Sequence, residues 1–143
     1  MRPQDIQIGD YVQYNGSAYV VEEISAKGWV HLVEPRYNTR VQMTSDYIID
    51  TLEPIVLEES MLESNGFVQE AVNGITHFVS EDRRLILTNS THFLNSNRKW
   101  YIHIDSEDMS SIGCAELTYV HEMQHIFRFF DIDKEITLHG YKE

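Results

Sequence analysis

Tight-turn dipeptides divide this chain into short segments, and they limit its possible folds more than any other feature. Asn15-Gly16 and Asn73-Gly74 are typical of two-residue β-hairpin turns, in which both central residues take a positive φ. Lys27-Gly28 marks a further turn. The segments between the turns are about four to eight residues long and rich in Val, Ile, Tyr and Trp, as in strands. We therefore predict a strand-dominated protein built from antiparallel hairpins.

The first 54 residues contain most of these turn signals. Strand patterns occupy 10–14, 18–24, 29–33 and 40–43, followed by a single helical turn at 45–48 and a closing segment at 49–54. Four or five short strands joined by tight turns within about 50 residues are typical of a small barrel. We predict an SH3-like barrel domain at 1–54.

Residues 55–143 follow a different pattern. A short amphipathic helix at 57–64 ends at Asn65-Gly66, and strand patterns follow at 67–72, 75–80, 84–88 and 99–104. The longest helix is predicted at 115–130, with a last strand at 135–139. The predicted fold class is therefore α+β, a small SH3-like β-barrel followed by an antiparallel meander packed on one long helix, with a second domain at 55–143. The predicted core consists of Tyr11, Val20, Trp29, Leu32, Phe67, Leu85, Trp100, Ile102, Val120, Phe127 and Phe130.

Charge and composition exclude several classes of function. The chain has 143 residues and a formal net charge of −12, which argues against binding to bulk nucleic acid. Its apolar runs are far shorter than a membrane span, and its start lacks the apolar core of a secretory signal. The single cysteine, Cys114, allows no disulfide framework within the chain. We expect a cytoplasmic protein with no membrane association.

One motif, HEMQH at 121–125, matches the H-E-x-x-H pattern of zinc hydrolases. In that alternative, His121, His125 and Asp131 would bind zinc and Glu122 would be the general base. Arg128, however, replaces the glycine that lets the chain of such proteases leave the helix. The helical periodicity also puts both histidines opposite the apolar stripe, which predicts that they face solvent. We predict no metal, no cofactor and no catalytic residue here.

Basic residues are scarce, so their clusters are candidate ligand sites. Two clusters include an aromatic residue, and an arginine fork beside a ring suits a phosphate joined to a base. The predicted ligand-binding residues are Arg36, Tyr37, Arg40, Arg98, Lys99 and Trp100. The expected ligand is small, anionic and nucleotide-like.

A resemblance to other small proteins rests on three stretches of the sequence. They are IGDYVQYNGSAYVVEEI, LEPIVLEESMLESNGF and LTYVHEMQHIFRFFDIDKEITL. The chain resembles a group of small proteins of gut bacteria and of their phages and mobile elements. These proteins share a barrel-like N-terminus and a closing YVHxxQ helix. The resemblance implies a phage or mobile-element origin.

Taken together, these features predict a non-enzymatic binding protein. A phage-type counter-defence protein of this kind would bind a host protein or sequester a small anionic ligand. Small strand-rich modules bury limited area and leave sheet edges exposed, so we also expect a homo-oligomer. The alternative is a small zinc-dependent metallopeptidase that uses HEMQH.

Overall fold

The computed structural model of the protein describes residues 1, 5–25, 29–33, 40–44, 51–89, 98–106, 108 and 110–138, with only the backbone described at 29 and 40–44. Contacts divide the chain into two compact units. The first unit combines Met1–Val56 with Tyr119–Glu135, and the second combines Leu57–Thr118 with Ile136–His139. The domain boundaries predicted at 54 and 55 stay a prediction.

A four-stranded antiparallel sheet forms the first unit, in the order β1 (Tyr11–Tyr14), β2 (Ser17–Ile24), β3 (Trp29–Val33) and β4 (Arg40–Thr44). The turn between β1 and β2 is Asn15-Gly16, and both residues have a positive φ, 49° and 82°. Positive φ at both positions defines the hairpin turn that this dipeptide favours, so the predicted turn is confirmed.

The core of this unit lies on one face of the sheet. It consists of Ile6, Val12, Val21, Val30, Leu32 and Leu52. Tyr11 and Val20 were predicted as core residues but are only half-buried. They pair across β1 and β2 and therefore share the other face, since side chains alternate along a strand.

The sheet of the first unit is open in the part of the chain that the structure describes. Its strand order runs from β1 to β4 without pairing between these two strands. On its other side, β1 forms a single antiparallel bridge in which Gln13 and Glu53 exchange backbone hydrogen bonds of 2.8 Å. The predicted helical turn at 45–48 lies outside the described residues.

The second unit is a five-stranded antiparallel meander preceded by a short helix, α1 (Glu59–Ser64). Its strands follow chain order: β5 (Val68–Val72), β6 (Ile75–Val79), β7 (Leu85–Asn89), β8 (Trp100–Asp105) and β9 (Ser111–Leu117). Neighbouring strands pair throughout, so β5 and β9 are the two edges. The protein is thus mostly β, with two antiparallel sheets.

One face of the meander is a dense apolar core. Its fully or almost fully buried side chains include Phe67, Phe78, Leu85, Leu87, Trp100, Ile102, Ile104 and Leu117. Trp100 packs edge-on against Phe78, with ring centroids 5.7 Å apart and an interplanar angle of 84°. Its indole N–H donates to the carbonyl of Leu57 at 2.9 Å, so the buried polar atom is satisfied.

The longer of the two described helices, α2, spans Val120–Phe129 and belongs to the first unit. Its predicted start at 115 is wrong, because residues 115–117 extend β9 and pair with residues 100–102 of β8. Ala, Glu and Leu are strong helix formers, but pairing along a buried strand overrides local propensity. Of the predicted core residues of the helix, Val120 and Phe127 are buried, whereas Phe130 is half-buried.

The strand predicted at 135–139 is also absent over 135–138, the described part of it. The backbone of Thr137 bonds to a side chain instead of a strand. Its N–H donates to Oδ1 of Asn65 at 2.8 Å, and its carbonyl accepts from Nδ2 of Asn65 at 2.7 Å. A single asparagine therefore satisfies both backbone groups.

Candidate functional site

His125 of HEMQH and Arg128, three residues further along the helix, bind one buried carboxylate, that of Asp10. This side chain is fully buried and accepts three hydrogen bonds. Oδ2 accepts from the backbone N–H of Gln7 and from Nε2 of His125, both at 2.7 Å. Oδ1 accepts from Nη1 of Arg128 at 2.7 Å. A buried carboxylate needs such compensation, so these contacts fix the helix to the loop that precedes β1.

Gln124 ties the same loop to the helix through both atoms of its amide. Oε1 accepts from the backbone N–H of Tyr11 at 2.9 Å, and Nε2 donates to the carbonyl of Gly9 at 2.9 Å. We call Gln7, Asp10, Gln124, His125 and Arg128 the Asp10 network. Gln7 belongs to it because its Oε1 accepts from Nη1 of Arg128 at 3.0 Å.

Gly9 allows Arg128 to approach this closely. Its φ is +94°, a conformation that L side chains rarely adopt, and a Cβ there would lie 2.9 Å from Nη2 of Arg128. The arginine at 128 therefore binds the buried carboxylate across a backbone position that carries no side chain.

His121 lies beside this network and is only 7 % exposed. Its ring stacks on Tyr119 with centroids 5.8 Å apart, and lies 5.4 Å from the ring of His125. The Nδ1 atom is buried and has no hydrogen-bond partner among the described residues. Burial lowers the pKa of His121, and the nearby His125 lowers it further, while Asp10 opposes the shift. The net effect favours the neutral form of the ring, because burial disfavours a charge.

These positions correct the prediction that both histidines face solvent. The helical periodicity was interpreted against one apolar stripe, formed by Val120, Met123 and Phe127, and all three are indeed buried. The opposite face of a helix need not be exposed to solvent, however, because its polar side chains can form hydrogen bonds to a buried carboxylate. Here Asp10 does so.

The zinc alternative receives no support from the side chains it requires. Oε1 of Glu122 accepts from the backbone N–H of Tyr119 at 3.0 Å and so caps the start of the helix. Asp131 is exposed and has a φ of +54°, just beyond the helix. Within the described ranges, no group of three or more His, Cys, Asp or Glu could hold a metal ion. His139, a further possible ligand, lies outside the described residues.

The chain does leave the helix before Asp131, although Arg128 stands in place of glycine. Asp131 takes the left-handed position that usually follows a helix end. The N–H of Ile132 donates to the carbonyl of Phe127 at 2.8 Å, and the N–H of Asp131 to that of Arg128 at 3.3 Å. These two bonds form a Schellman motif, which explains the exposed carboxylate.

The predicted anion site is only partly described. Arg36 and Tyr37 lie outside the described residues, and Arg40 starts β4 but its side chain is not described. Lys99 binds Oε2 of Glu58 at 2.7 Å, and Trp100 is fully buried. The ring of Trp100 therefore cannot stack on a ligand. Arg98 is exposed and already has an interaction partner.

A second candidate site is the edge strand β5; the sequence leads us to expect exposed sheet edges but does not indicate which strand forms one. Every residue of β5 is exposed or half-buried, and its two valines, Val68 and Val72, are 62 % and 54 % exposed. Among the described residues, its backbone forms no hydrogen bond beyond those to β6. An uncovered edge of this kind is a template for a further strand.

A cavity of about 390 Å³ adjoins this edge on the face that carries Val68 and Glu70. It is lined by Gly66, Val68, Glu70, Val79, Ser80, Glu81 and Arg83. The guanidinium of Arg83 binds both carboxylate oxygens of Glu70, at 3.1 and 3.2 Å. No hydrogen bond or ion pair of Glu81 is found within the described part of the chain. The cavity therefore has an apolar wall and one uncompensated carboxylate.

We call β5 together with this cavity the β5 edge. The strand itself was predicted from the apolar residues at 67–72, but its place at the edge depends on the order of the strands. Comparisons of the chain with protein-family models, with curated proteins and with solved structures find no match.

Proposed function

We propose that this protein is a non-enzymatic binding protein that captures an extended segment of a partner protein as an additional strand on β5. The observation that carries the proposal is the exposure of both faces of β5 at the edge of the sheet. Main-chain hydrogen bonds would supply affinity, and alternate side chains facing Val68 and Val72 would supply specificity.

The arrangement of HEMQH supports the non-enzymatic part of the proposal. Catalysis by this motif would require a free carboxylate at Glu122 and histidines open to a substrate. Glu122 instead caps its own helix, and His125 binds Asp10. We assign the motif a structural role in joining the helix to β1.

The proposed setting follows from the sequence. In a phage or mobile-element context, the partner would be a host protein in the cytoplasm, as in counter-defence. No helix in the described ranges is long and apolar enough to cross a membrane. We also propose that residues 1–54 form an SH3-like domain. The bridge between Gln13 and Glu53, which brings residue 53 beside β1, supports this.

Two further expectations stay proposals. A small anionic ligand would bind near Arg36, Tyr37 and Arg40, outside the described side chains. A homo-oligomer would need a surface other than one that the partner occupies.

Selection from a display library of random seven-residue peptides tests the proposed function. We expect enriched peptides to be rich in β-branched residues, since these favour the extended conformation. Each enriched peptide is then titrated against the protein and against the double variant Val68→Lys/Val72→Lys. We expect binding to weaken about tenfold, since two apolar contacts are lost.

The matched control is Ile112→Lys, which places the same charge on β9, the other edge of the same sheet. Ile112 is 42 % exposed, so the change disturbs no core. The control should bind the peptides like the unmodified protein. Equal binding by the double variant and the unmodified protein, or no enrichment at all, would contradict the proposal.

A further inference from the structure

We infer that the segment captured at the β5 edge carries a basic residue between two apolar ones, in the pattern apolar–x–basic–x–apolar. This inference rests on the proposed function and names the chemistry of its partner. It follows from the side chains that β5 places on the cavity face.

Val68, Glu70 and Val72 alternate along β5, so they point to the same face of the sheet. Residues of an added strand that lie directly opposite them would share this face. Opposite Val68 and Val72, apolar side chains would cover exposed valine surface, and the one opposite Val68 would reach the cavity. Gln69 and Ala71, on the other face, are exposed and place no charge there.

The charges that line the cavity indicate which residue the captured segment carries at its central position, opposite Glu70. Two carboxylates, those of Glu70 and Glu81, line the cavity together with one guanidinium, that of Arg83. Arg83 is engaged by Glu70, and Glu81 has no partner within the described residues. One positive charge on the added strand, opposite Glu70, would balance the cavity. A lysine or an arginine there would lie on the face from which Glu70 and Glu81 both line the cavity.

The same geometry argues against a second copy of this chain as the occupant. If two copies of β5 paired antiparallel along their full length, the twofold axis would pass through Glu70, the middle residue of the strand. Glu70 would then lie opposite its own copy, and like charges directly opposite each other are destabilising. The net charge of −12 adds repulsion between copies and attracts a basic partner.

Three synthetic peptides test the inference: Thr-Val-Thr-Lys-Thr-Val-Thr and its analogues with Gln or Glu at the centre. The pattern is palindromic, so it fits a parallel or an antiparallel strand equally well. Affinities are measured up to millimolar peptide by fluorescence anisotropy. We expect the Lys peptide to bind about two- to fivefold more tightly than the Gln peptide, and the Glu peptide to bind more weakly than both.

The variant Glu81→Gln should remove much of the preference for Lys over Gln. Its control is Glu116→Gln, which neutralises an exposed glutamate on β9 and should leave the preference unchanged. The three peptides could bind the unmodified protein with equal affinity and fail to bind Val68→Lys/Val72→Lys. That result would overturn the charge inference and leave strand addition intact. A tighter Glu peptide would also overturn it. If none of the three peptides binds, the capture of a partner strand is overturned as well. The same holds if light scattering shows a dimer that forms through β5 and prevents the peptides from binding.

Discussion

The Nε2 atom of His125 lies 2.7 Å from Oδ2 of Asp10, although 115 residues separate the two in the chain. The second histidine of HEMQH is thus a donor to a fully buried carboxylate rather than a free metal ligand. With Arg128 on the other carboxylate oxygen, it joins α2 to the loop before β1.

Replacing Asp10 tests this structural role. Asp10→Asn keeps the shape of the side chain but leaves Arg128 and His125 without their carboxylate. We expect a loss of about 1.5–3 kcal/mol in the free energy of unfolding, measured with urea at neutral pH, because the charge left on Arg128 is 38 % exposed. Asp133→Asn is the control at an exposed aspartate and should change stability by less than about 0.5 kcal/mol. Equal effects of the two substitutions would contradict a compensated buried charge.

The close approach of Arg128 to Gly9 gives a second prediction. Gly9→Ala and Gly16→Ala both place a Cβ at a positive φ, +94° and +82°. Only the first also meets a side chain, whereas nothing lies within 4 Å of a Cβ at Gly16. Each should lose about 1–2 kcal/mol from backbone strain, with a further loss for Gly9→Ala.

The extra loss should disappear when both glycine variants are compared in an Arg128→Ala background, because the clash then has no partner. Urea unfolding of the four variants completes this cycle. An extra loss that persists without the arginine would show that Gly9 matters for another reason.

His121 predicts how stability depends on pH. Its pKa is lowered from 6.5 by burial and by His125, while Asp10, Glu122 and Asp5 oppose the shift. The unfolded chain therefore takes up a proton at a higher pH than the folded protein. The contribution of the neutral ring is fully present above about pH 6.5 and is lost as pH falls toward the lowered pKa.

The variant His121→Phe should flatten this dependence, because it cannot be protonated and also removes the unpartnered Nδ1. Urea unfolding is compared between about pH 7.5 and about pH 5.5, the range in which histidines titrate. Phe129→Leu, at an exposed residue of the same helix that has no titratable group, is the control and should keep the slope of the unmodified protein. An unchanged slope in His121→Phe would exclude His121 as its source.

Native mass spectrometry of freshly purified protein without an affinity tag tests the metal prediction. We expect no stoichiometric zinc and no peptidase activity, because Glu122 and His125 have other partners. Glu122→Gln should lose only about 1 kcal/mol or less of stability, as a capping residue does. Zinc that is bound one per chain and lost in His121→Ala would reverse this assignment. The same spectrum reports whether the chain is a homo-oligomer.

Local sequence chemistry predicts much of the fold. Asn15-Gly16 forms its turn because few other residues tolerate positive φ twice in succession, and the strands on either side follow from alternation. The same chemistry cannot choose between two apolar residues in adjacent positions. Tyr11 and Val12 both suit a core, and only the packing of the sheet buries Val12.

The candidate sites depend on contacts that no local pattern contains. HEMQH predicts a helix face, but not that Asp10 lies across from it. The segment at 68–72 predicts a strand, but its edge position follows from the order of all five strands. The missing information in both cases is long-range topology, which single-sequence periodicity does not carry.

Amide NMR of the labelled protein during titration with Thr-Val-Thr-Lys-Thr-Val-Thr tests the central claim most directly. If an extended segment adds to β5, the largest shifts and the gain in exchange protection should fall on the amides of Val68–Val72 and on the residues that line the cavity. The amides of β9, the other edge, should not respond. Shifts centred on β9 or on residues 36–40, with β5 unchanged, would contradict the account.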